Sequence, residues 1–251
     1  MIEAENLTKR KPVDLGSATG FTGDGYRIDS QFISPERCTK LLAMIDEYRQ
    51  HNILQIIHRP ALDRPLHYSV IDGESIGRSL PHVNELYREV NAFVNEISGR
   101  NLAPLKDEKV ACNINITSKG GSYRWHYDRN AVTAILYLND VEGGETDCYP
   151  NYRIPGKFGS NFQRLLDRIL QTAIVRRIFG KLVVIEPQAG RMLVMQGDRC
   201  LHSVRPVIGD TDRVNIIMSF DVPGRDFAVA DQLNDYLYKG NTSSSRDPNY
   251  T

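Results

Sequence analysis

The sequence has 251 residues, of which 41% are hydrophobic and 25% charged, a composition typical of a soluble globular protein. Basic and acidic side chains balance at 31 each, so no global electrostatic field attracts nucleic acid or an anionic membrane. Residues 1–20 lack an apolar central region, and no run approaches the ~20 apolar residues of a membrane span, so we expect a cytoplasmic protein. The length of the chain predicts one domain over residues 1–251. The sequence does not indicate the oligomeric state.

The N-terminal part of the chain predicts helical support for a sheet. Residues 1–25 are rich in Gly, Thr, Asp and Lys and predict an irregular arm, followed by a strand over 26–33. A capping serine and a proline then open an amphipathic helix over 34–50, and a second amphipathic helix is predicted over 83–99. We expect segment 26–100 to buttress the sheet through these two helices.

Residues 52–81 alternate short apolar stretches with Pro and Gly, which predicts short strands and loops. The segment is dense in polar and aromatic side chains: His58, Arg59, Arg64, His67 and Tyr68. Two interpretations stay open. The segment is either a connection that is polar because it faces water, or a loop that binds substrate above a functional site.

The stretch 110–117 predicts a strand with one polar face. Asn113, Asn115 and Thr117 share that face, opposite three apolar residues. Such a strand lines a wet pocket if the polar face points into a barrel, and it is a sheet edge if the face points outward. The motifs that follow favour the pocket.

A pair of potential metal ligands follows a double glycine at 120 and 121. His126 and Asp128 are two residues apart, and because a strand repeats every two residues, both side chains leave the same face and can bind one ion. Alone, a His-x-Asp pair is a weak signal. The next stretch, 131–138, also alternates, and Thr133 and Tyr137 share the face in phase with His126 if no bulge intervenes.

An insertion over 153–180 carries apolar residues at helical spacing. They are Phe162, Leu165, Leu166, Ile169, Leu170, Ala173, Ile174 and Ile178. Such a stripe is typical of core packing, and its place between two predicted metal-ligand segments also makes it a candidate lid. Residues 181–187 and 191–195 then predict two strands paired through a tight turn at 188–190.

The third ligand is predicted at His202, with Arg213 eleven positions further on. Two imidazoles and one carboxylate form the facial triad of non-haem Fe(II) oxygenases, which leaves three coordination positions open. His126, Asp128 and His202 are therefore the predicted metal ligands and catalytic centre. The four cysteines lie far apart and predict reduced thiols rather than a disulfide frame or a zinc site. For Cys200 a buried filler is favoured over a place beside the metal.

The C-terminal part predicts a last strand over 214–222, a short helix over 231–238 and a frayed tail over 242–251. Many short strands with Gly and Pro turns, flanked by helices, predict an all-β core over about 110–222. The expected architecture is a double-stranded β-helix, the jelly roll that is also found in cupins.

Three motifs follow one another between residues 111 and 220. They are Gly-Gly-x-Tyr-x-x-His-x-Asp at 120–128, Tyr-Leu-Asn at 137–139 with Gly-Gly-Glu-Thr at 143–146, and His-x-Val-x-Pro-Val-x-x-Gly at 202–209 followed by Arg213. In this order they resemble the Fe(II)/2-oxoglutarate-dependent dioxygenases, particularly their prolyl-hydroxylase-like branch. The resemblance implies the same jelly roll, with Fe(II), 2-oxoglutarate and O2 as cofactor and cosubstrates.

The resemblance also implies roles for residues near the metal. In the family, a basic residue at the position of Arg213 binds the distal carboxylate of 2-oxoglutarate. Spacing alone equally allows a surface salt bridge between Arg213 and the acidic residues that precede it. Tyr137 and Thr133 match positions that hydrogen-bond the same carboxylate. Asn115 or Thr117 is placed to reach the inner end of the site, where some relatives carry a tyrosine.

The implied reaction couples decarboxylation of 2-oxoglutarate to succinate and CO2 with hydroxylation of an unactivated C–H bond. Halogenation is disfavoured because a carboxylate stands at 128. We predict a small-molecule substrate, a free amino acid or a natural-product intermediate, since the chain is compact and has no basic stripe or partner-binding repeat. The alternatives are a hydroxylase of protein side chains of the prolyl type, a non-catalytic cupin-like protein that binds a metal or ligand, and a zinc hydrolase.

Overall fold

The computed structural model describes residues 21–60, 63–154, 160–225 and 230–240. Two antiparallel sheets face each other and helices flank them, which confirms the predicted all-β core of jelly-roll type. The predicted tail over 242–251 lies outside the described residues, as does all of the predicted arm except 21–25. The organisation of the whole chain as one domain therefore stays a prediction.

The strands are β1 Tyr26–Asp29, β2 Gln55–Arg59, β3 Leu66–Ile71, β4 Ala103–Pro104, β5 Cys112–Thr117, β6 Tyr123–His126, β7 Val132–Tyr137, β8 Thr146–Tyr149, β9 Val183–Ile185, β10 Met192–Met195, β11 Leu201–Val204 and β12 Arg213–Asp221. The large sheet has the order β1-β10-β7-β12-β5-β3-β2, with β4 paired to β12. The small sheet has the order β6-β11-β8-β9.

The helices are α1 Phe21–Asp24, α2 Pro35–His51, α3 Gly73–Ser79, α4 Pro81–Ser98, α5 Glu108–Ala111, α6 Ser160–Leu170, α7 Ala173–Phe179 and α8 Ala230–Tyr238. The predicted helices over 34–50, 83–99 and 231–238 are confirmed as α2, α4 and α8. Within the described part of the chain, no helix is both long enough and apolar enough to cross a membrane.

The main hydrophobic core lies between the large sheet and the helices α2 and α4. Alternate residues of the central strand β12 point into it: Val214, Ile216, Met218 and Phe220. Ile45 of α2 and Leu86 and Val90 of α4 pack in the same cluster and are fully buried. The residues between them on β12 face the small sheet instead, so strand alternation separates an apolar outer layer from a polar inner one. Within segment 26–100, α2 and α4 thus pack against the large sheet.

Helix α3 was missed by the sequence analysis, which expected only strands and loops between 52 and 81. Its N-terminus is capped by the Asp72 side chain, which accepts a hydrogen bond of 2.8 Å from the Ser75 amide. Two of its seven residues are glycines. Because glycine lowers helix propensity, the sequence did not indicate a helix here. Gly73 allows α3 to pack closely on α5, since a Cβ there would lie 1.9 Å from the carbonyl oxygen of Glu108.

This close contact makes Gly73 essential for stability. We expect Gly73→Ala to lower the free energy of unfolding by about 1–3 kcal/mol, because the new methyl group meets backbone that must shift. Gly77→Ala is the matched control in the same helix, since the nearest atom to a Cβ there is 3.9 Å away. It should be neutral or stabilise by up to about 1 kcal/mol. Urea unfolding measures both, and equal effects would contradict the packing assigned to Gly73.

The predicted pairing of strands 181–187 and 191–195 is wrong. The turn itself is present, with the Arg191 amide donating to the Gln188 carbonyl at 3.0 Å. However, β9 pairs with β8 in the small sheet, and β10 pairs with β1 and β7 in the large sheet. The chain crosses between the two sheets at this point. Two strands joined by a tight turn have the same sequence pattern whether they pair as a hairpin or belong to different sheets.

The insertion 153–180 forms two helices, α6 and α7, on the outer face of the small sheet. Leu166, Leu170 and Val175 pack there against a cluster that includes Trp125 and Tyr149. Only part of the predicted apolar stripe is buried by this contact, and its other members face outward. The core-packing interpretation therefore holds for one side of the helices.

Candidate metal centre

His126, Asp128 and His202 come together between the two sheets. His126 at the end of β6 is the direct partner of His202 on the neighbouring strand β11. Asp128 Oδ1 lies 3.4 Å from His126 Nε2 and 3.7 Å from His202 Nε2. The candidate ligand atoms of the three residues all lie within 4.8 Å of one another. The arrangement can hold one metal ion.

The outer nitrogen of each imidazole is held by a backbone carbonyl. His126 Nδ1 lies 2.9 Å from the Arg124 oxygen, and His202 Nδ1 lies 3.1 Å from the Cys200 oxygen. A neutral imidazole beside a carbonyl donates from the nitrogen that faces it, so Nδ1 carries the proton and Nε2 keeps its lone pair. Both Nε2 atoms are therefore free to bind a metal beside Asp128.

The site also holds the charge states that metal binding requires. Burial opposes ionisation of Asp128, but the imidazoles of His202 and His126 and the Thr133 hydroxyl lower its pKa to about 2. Burial, together with the neighbouring His126, lowers the pKa of His202 to about 4. At neutral pH the centre thus offers a carboxylate and an unprotonated His202 imidazole, and metal ligands must be deprotonated.

Thr133 contacts the metal-site carboxylate rather than standing free for a cosubstrate. Its hydroxyl donates to Asp128 Oδ2 at 2.6 Å, and the Asn130 amide donates to the same Thr133 oxygen at 2.9 Å. Because Asn130 occupies a lone pair of Thr133, the hydroxyl proton is directed to Asp128. Oδ2 is engaged in this way and Oδ1 alone faces the two imidazoles. The sequence analysis had expected Thr133 to contact 2-oxoglutarate and gave Asn130 no role.

Removing this hydroxyl should loosen the metal site. We expect Thr133→Val to weaken Mn(II) binding by about 10- to 100-fold, the usual effect of losing a residue that orients a metal ligand. Thr133→Ser keeps the donor and should retain most of the affinity. Titration calorimetry of the metal-free protein with Mn(II) provides the measurement. Equal affinities for the wild-type protein and the Val variant would show that Thr133 does not position Asp128.

Arg213 lies buried at the start of β12, 3% exposed. Its guanidinium donates to Asn215 Oδ1 and, at 3.1 Å, to Thr146 Oγ1. The Tyr137 hydroxyl donates to the same Thr146 oxygen at 2.7 Å, and the guanidinium stands 5.1 Å from the centre of the Tyr137 ring. Tyr137 thus belongs to the polar group around Arg213, and its contact with the 2-oxoglutarate carboxylate stays a prediction. Thr146 lies in a motif of the sequence but received no role there.

The alternative of a surface salt bridge for Arg213 is wrong. The preceding acids have other partners, since Asp210 pairs with Lys119 at 2.7 Å and Asp212 with Arg49 at 2.9 Å. Among the described residues, no carboxylate pairs with Arg213. Burial lowers the pKa of its guanidinium, which is the cost of a charge without a counterion in this place.

Two buried polar atoms near the centre lack a hydrogen-bond partner. They are Arg213 Nε and Asn115 Oδ1, and both residues line the cavity that contains the metal triad. Buried polar groups are rarely left unpaired in native proteins, so an unpaired guanidinium nitrogen indicates a missing acceptor. A dicarboxylate with one end at the metal and the other at Arg213 would supply that acceptor, whereas Asn115 Oδ1 needs a donor. The polar face of β5, including Asn113 and Thr117, also lines the cavity, which supports the predicted pocket rather than a sheet edge.

The cavity measures about 150 Å³ and is walled on one side by the C-terminal helix α8. Leu237 and Tyr238 of this helix line it, and Asn113 donates to the Tyr238 hydroxyl at 3.0 Å. Asn234 also lines it and donates to Asp107 at 2.6 Å. The sequence indicated the helix but not its position, because docking of a short terminal helix depends on contacts distant in the chain.

Segment 52–81 holds α8 in place. Arg59 is buried and donates to the carbonyls of Tyr236 and Lys239 near the end of α8, and Tyr68 donates to the Leu237 carbonyl at 2.9 Å. Of the polar side chains noted in this segment, Tyr68 alone lines the cavity, and His58 and His67 are exposed. In the described structure, segment 52–81 thus mainly anchors α8, the helix that forms one wall of the cavity.

Two other sequence interpretations can be compared with the cavity. No described residue of 153–180 lines it, and the role of this insertion as a lid stays a prediction. All four cysteines are buried and free, and Cys200 packs with Cys148 in the small core between the sheets. Arg205, which has no role in the sequence analysis, pairs with the buried Asp147 at 2.9 Å.

A jelly roll that brings two imidazoles and one carboxylate together between its sheets defines the class of cupin-like metalloproteins. Residues 112–220 match the sequence model of the 2OG-Fe(II) oxygenase superfamily. The match spans 109 of the 251 residues, in the part of the chain that carries the three motifs, and agrees with the resemblance that they indicate. Together with the metal triad, this match supports a dioxygenase with Fe(II) as cofactor and with 2-oxoglutarate and O2 as cosubstrates. A comparison with curated protein sequences finds no match.

Solved structures of the same fold include a carbocyclase of nogalamycin biosynthesis and a prolyl hydroxylase bound to a peptide. The carbocyclase SnoK from nogalamycin biosynthesis superposes with a TM-score of 0.62 at 14% identity, covering 84% of this chain and 87% of SnoK. HygX from Streptomyces hygroscopicus, solved with nickel, 2-oxoglutarate and hygromycin B, gives 0.56 at 13% identity, with coverage of 81% and 85%. A Trichoplax adhaerens prolyl hydroxylase bound to a peptide of hypoxia-inducible factor gives 0.56 at 18% identity, with coverage of 80% and 85%. At these identities the likeness concerns the fold.

Proposed function

We propose that the protein hydroxylates a C–H bond of a small molecule, with His126, Asp128 and His202 binding Fe(II). Arg213 and Thr146 bind the distal carboxylate of 2-oxoglutarate. When bound, iron and 2-oxoglutarate supply the oxidising chemistry, in which O2 is consumed, 2-oxoglutarate becomes succinate and CO2, and one oxygen atom reaches the substrate. The residues around them contribute position and charge.

Each group of residues has a separate task. The backbone carbonyls behind the two imidazoles fix their tautomer, and Thr133 limits Asp128 to one free oxygen, which keeps ligand positions available for the other reactants. Arg213 presents a planar fork of donors that matches a carboxylate. Because it is buried and has no acid partner among the described residues, a dianionic cosubstrate would also neutralise it. Asn115 stands nearby with an unpaired amide oxygen.

The wall contributed by α8 is the observation that favours a small substrate. Asn234, Leu237 and Tyr238 line the same cavity as the metal triad. Hydrogen bonds join Tyr238 to Asn113 and Asn234 to Asp107, which fixes α8 to the body of the protein. An extended protein segment needs an open groove, whereas a walled cavity with aromatic side chains and convergent polar groups suits a small ligand. The fold relatives SnoK, from nogalamycin biosynthesis, and HygX, solved with hygromycin B bound, support the same choice.

The test compares substrate classes under identical conditions. Purified protein with Fe(II), 2-oxoglutarate and O2 is incubated with a panel of amino acids and natural-product intermediates, and in parallel with proline-containing peptides. Succinate and a mass gain of one oxygen are measured together. We expect a small molecule to stimulate both. Stimulation by peptides alone would establish the prolyl-type alternative.

A substitution in the wall makes the test more specific. Leu237→Trp should reduce small-molecule hydroxylation while the substrate-independent conversion of 2-oxoglutarate continues, because Leu237 lines the cavity but does not belong to the triad or to the group around Arg213. Leu54→Trp, on the partly buried fringe of the main core, is not at the cavity and controls for general damage. Loss of both reactions in the Leu237 variant with intact folding would contradict the assignment of this wall to the substrate.

A further inference from the structure

The hairpin of α6 and α7 exposes an unusual amount of apolar surface. Twelve large apolar side chains are exposed among the described residues, and half of them lie on these two helices. They are Phe162, Leu165, Ile169, Ile174, Ile178 and Phe179, with exposed fractions from 48% to 75%. Exposed apolar side chains concentrated in this way mark a contact site. The proposed oxygenase reaction does not use it.

The hairpin has a second apolar side that the fold already buries. Leu166 and Leu170 of α6 and Val175 of α7 point to the small sheet, where they pack beside Trp125. The exposed residues on α6 repeat at intervals of three and four positions, which places them along one outward stripe of the helix. Packing on the small sheet uses only the inward apolar side of each helix. The outward apolar stripe adds no stability to the fold, so we expect it to contact a partner.

The same segment concentrates positive charge. Residues 153–181 contain seven Lys and Arg and one Asp, a local net charge of +6 in a chain whose total is zero. The single acid, Asp167, is buried and pairs with Arg153 at 2.5 Å. Arg177 and Lys181 are exposed beside the apolar residues of α7. The net charge of the whole chain is zero, and on that ground we expected no attraction to an anionic membrane. The chain nevertheless contains this strongly basic region.

We propose that the α6–α7 hairpin docks on the surface of an anionic lipid membrane. Outward apolar side chains flanked by basic ones are the composition of helices that lie in the plane of such a surface, where the apolar groups enter the headgroup boundary and the basic groups contact lipid phosphates. A second copy of the chain is a poorer partner through a symmetric contact, because that contact would bring two regions of charge +6 together.

Vesicle co-sedimentation of the full chain tests this directly. Wild-type protein should bind vesicles of phosphatidylcholine mixed with phosphatidylglycerol, bind phosphatidylcholine vesicles far more weakly, and dissociate as salt increases. Ile174→Ser with Ile178→Ser should weaken binding by about tenfold or more, since both side chains are exposed and contribute apolar area only to the contact. Ile53→Ser with Ile208→Ser removes two exposed isoleucines elsewhere and should have no effect.

Charge substitutions measure the electrostatic contribution to vesicle binding separately from the apolar one. Arg177→Gln with Lys181→Gln should weaken binding to the anionic vesicles by about 30-fold, whereas Lys40→Gln with Lys119→Gln, two exposed lysines outside the hairpin, should change it little. Failure of the wild-type protein to bind, or equal binding to both vesicle types, would overturn the proposal. So would a dimer in analytical ultracentrifugation that the Ile174 and Ile178 changes dissociate. Succinate formation stays unchanged in all four double variants, which separates this proposal from the proposed function.

Discussion

Replacing Asp128 with alanine is expected to reduce succinate formation to the level of the metal-free protein. Asp128 is the one anionic group of the triad, and its Oδ1 faces both imidazoles at 3.4 and 3.7 Å. Two neutral imidazoles alone hold a divalent ion weakly, so metal affinity should fall by more than the ~100-fold seen when only an orienting residue is lost. Metal titration and succinate assays on the same preparation measure both effects.

The control variant is Asp210→Ala, which removes an exposed carboxylate that pairs with Lys119 at the surface. It should bind metal and turn over 2-oxoglutarate as the wild-type protein does. Added Mn(II) should raise the melting temperature of the wild-type and Asp210 proteins but not of the Asp128 variant, because a ligand stabilises only the folded state that binds it. Retained turnover in a folded Asp128→Ala protein would show that the triad is not the metal site.

Replacing Arg213 with methionine is expected to weaken 2-oxoglutarate binding by roughly 30-fold to a few thousand-fold, the equivalent of about 2–5 kcal/mol for a carboxylate that loses its buried charged partner. The effect should fall on the KM for 2-oxoglutarate, while Mn(II) affinity stays near that of the wild-type protein. Arg213→Lys keeps the charge but loses the forked donors and should lie between the two. The KM for 2-oxoglutarate and the calorimetric Kd provide the comparison.

The same substitution should not destabilise the protein without cosubstrate. Arg213 is a buried cation without an acid partner among the described residues, and such a charge costs free energy that a methionine of similar length does not. We therefore expect the melting temperature of the Met variant to equal or exceed that of the wild-type protein until 2-oxoglutarate is added. A large loss of stability without cosubstrate, with unchanged affinity for 2-oxoglutarate, would show that Arg213 is a structural residue.

Much of the inner surface was predictable from alternation in the strands. Asn113, Asn115 and Thr117 of β5 line the cavity because a strand that packs on one side places every second residue on the other. The triad was predictable for a related reason, since His126 and Asp128 stand two positions apart and the motifs supplied His202. Local periodicity and ordered motifs thus indicated the fold and the candidate ligands.

The contacts that the sequence did not reveal all join distant parts of the chain or depend on the direction of a single proton. Thr133 points its hydroxyl at Asp128 only because Asn130 donates to it, which no spacing rule indicates. Helix α8 reaches the cavity because Arg59, far away in sequence, binds its last carbonyls. The crossing between β9 and β10 shares its local signal with a hairpin. In each case, tertiary contacts decide between arrangements that are locally equivalent.

The measurement that tests the account most directly is a crystal structure of the protein grown without oxygen in the presence of Mn(II) and 2-oxoglutarate. We predict one anomalous peak at bonding distance from His126 Nε2, Asp128 Oδ1 and His202 Nε2, with the distal carboxylate of 2-oxoglutarate on Arg213 and Thr146. A metal held elsewhere, or 2-oxoglutarate with its distal end away from Arg213, would contradict the proposed centre.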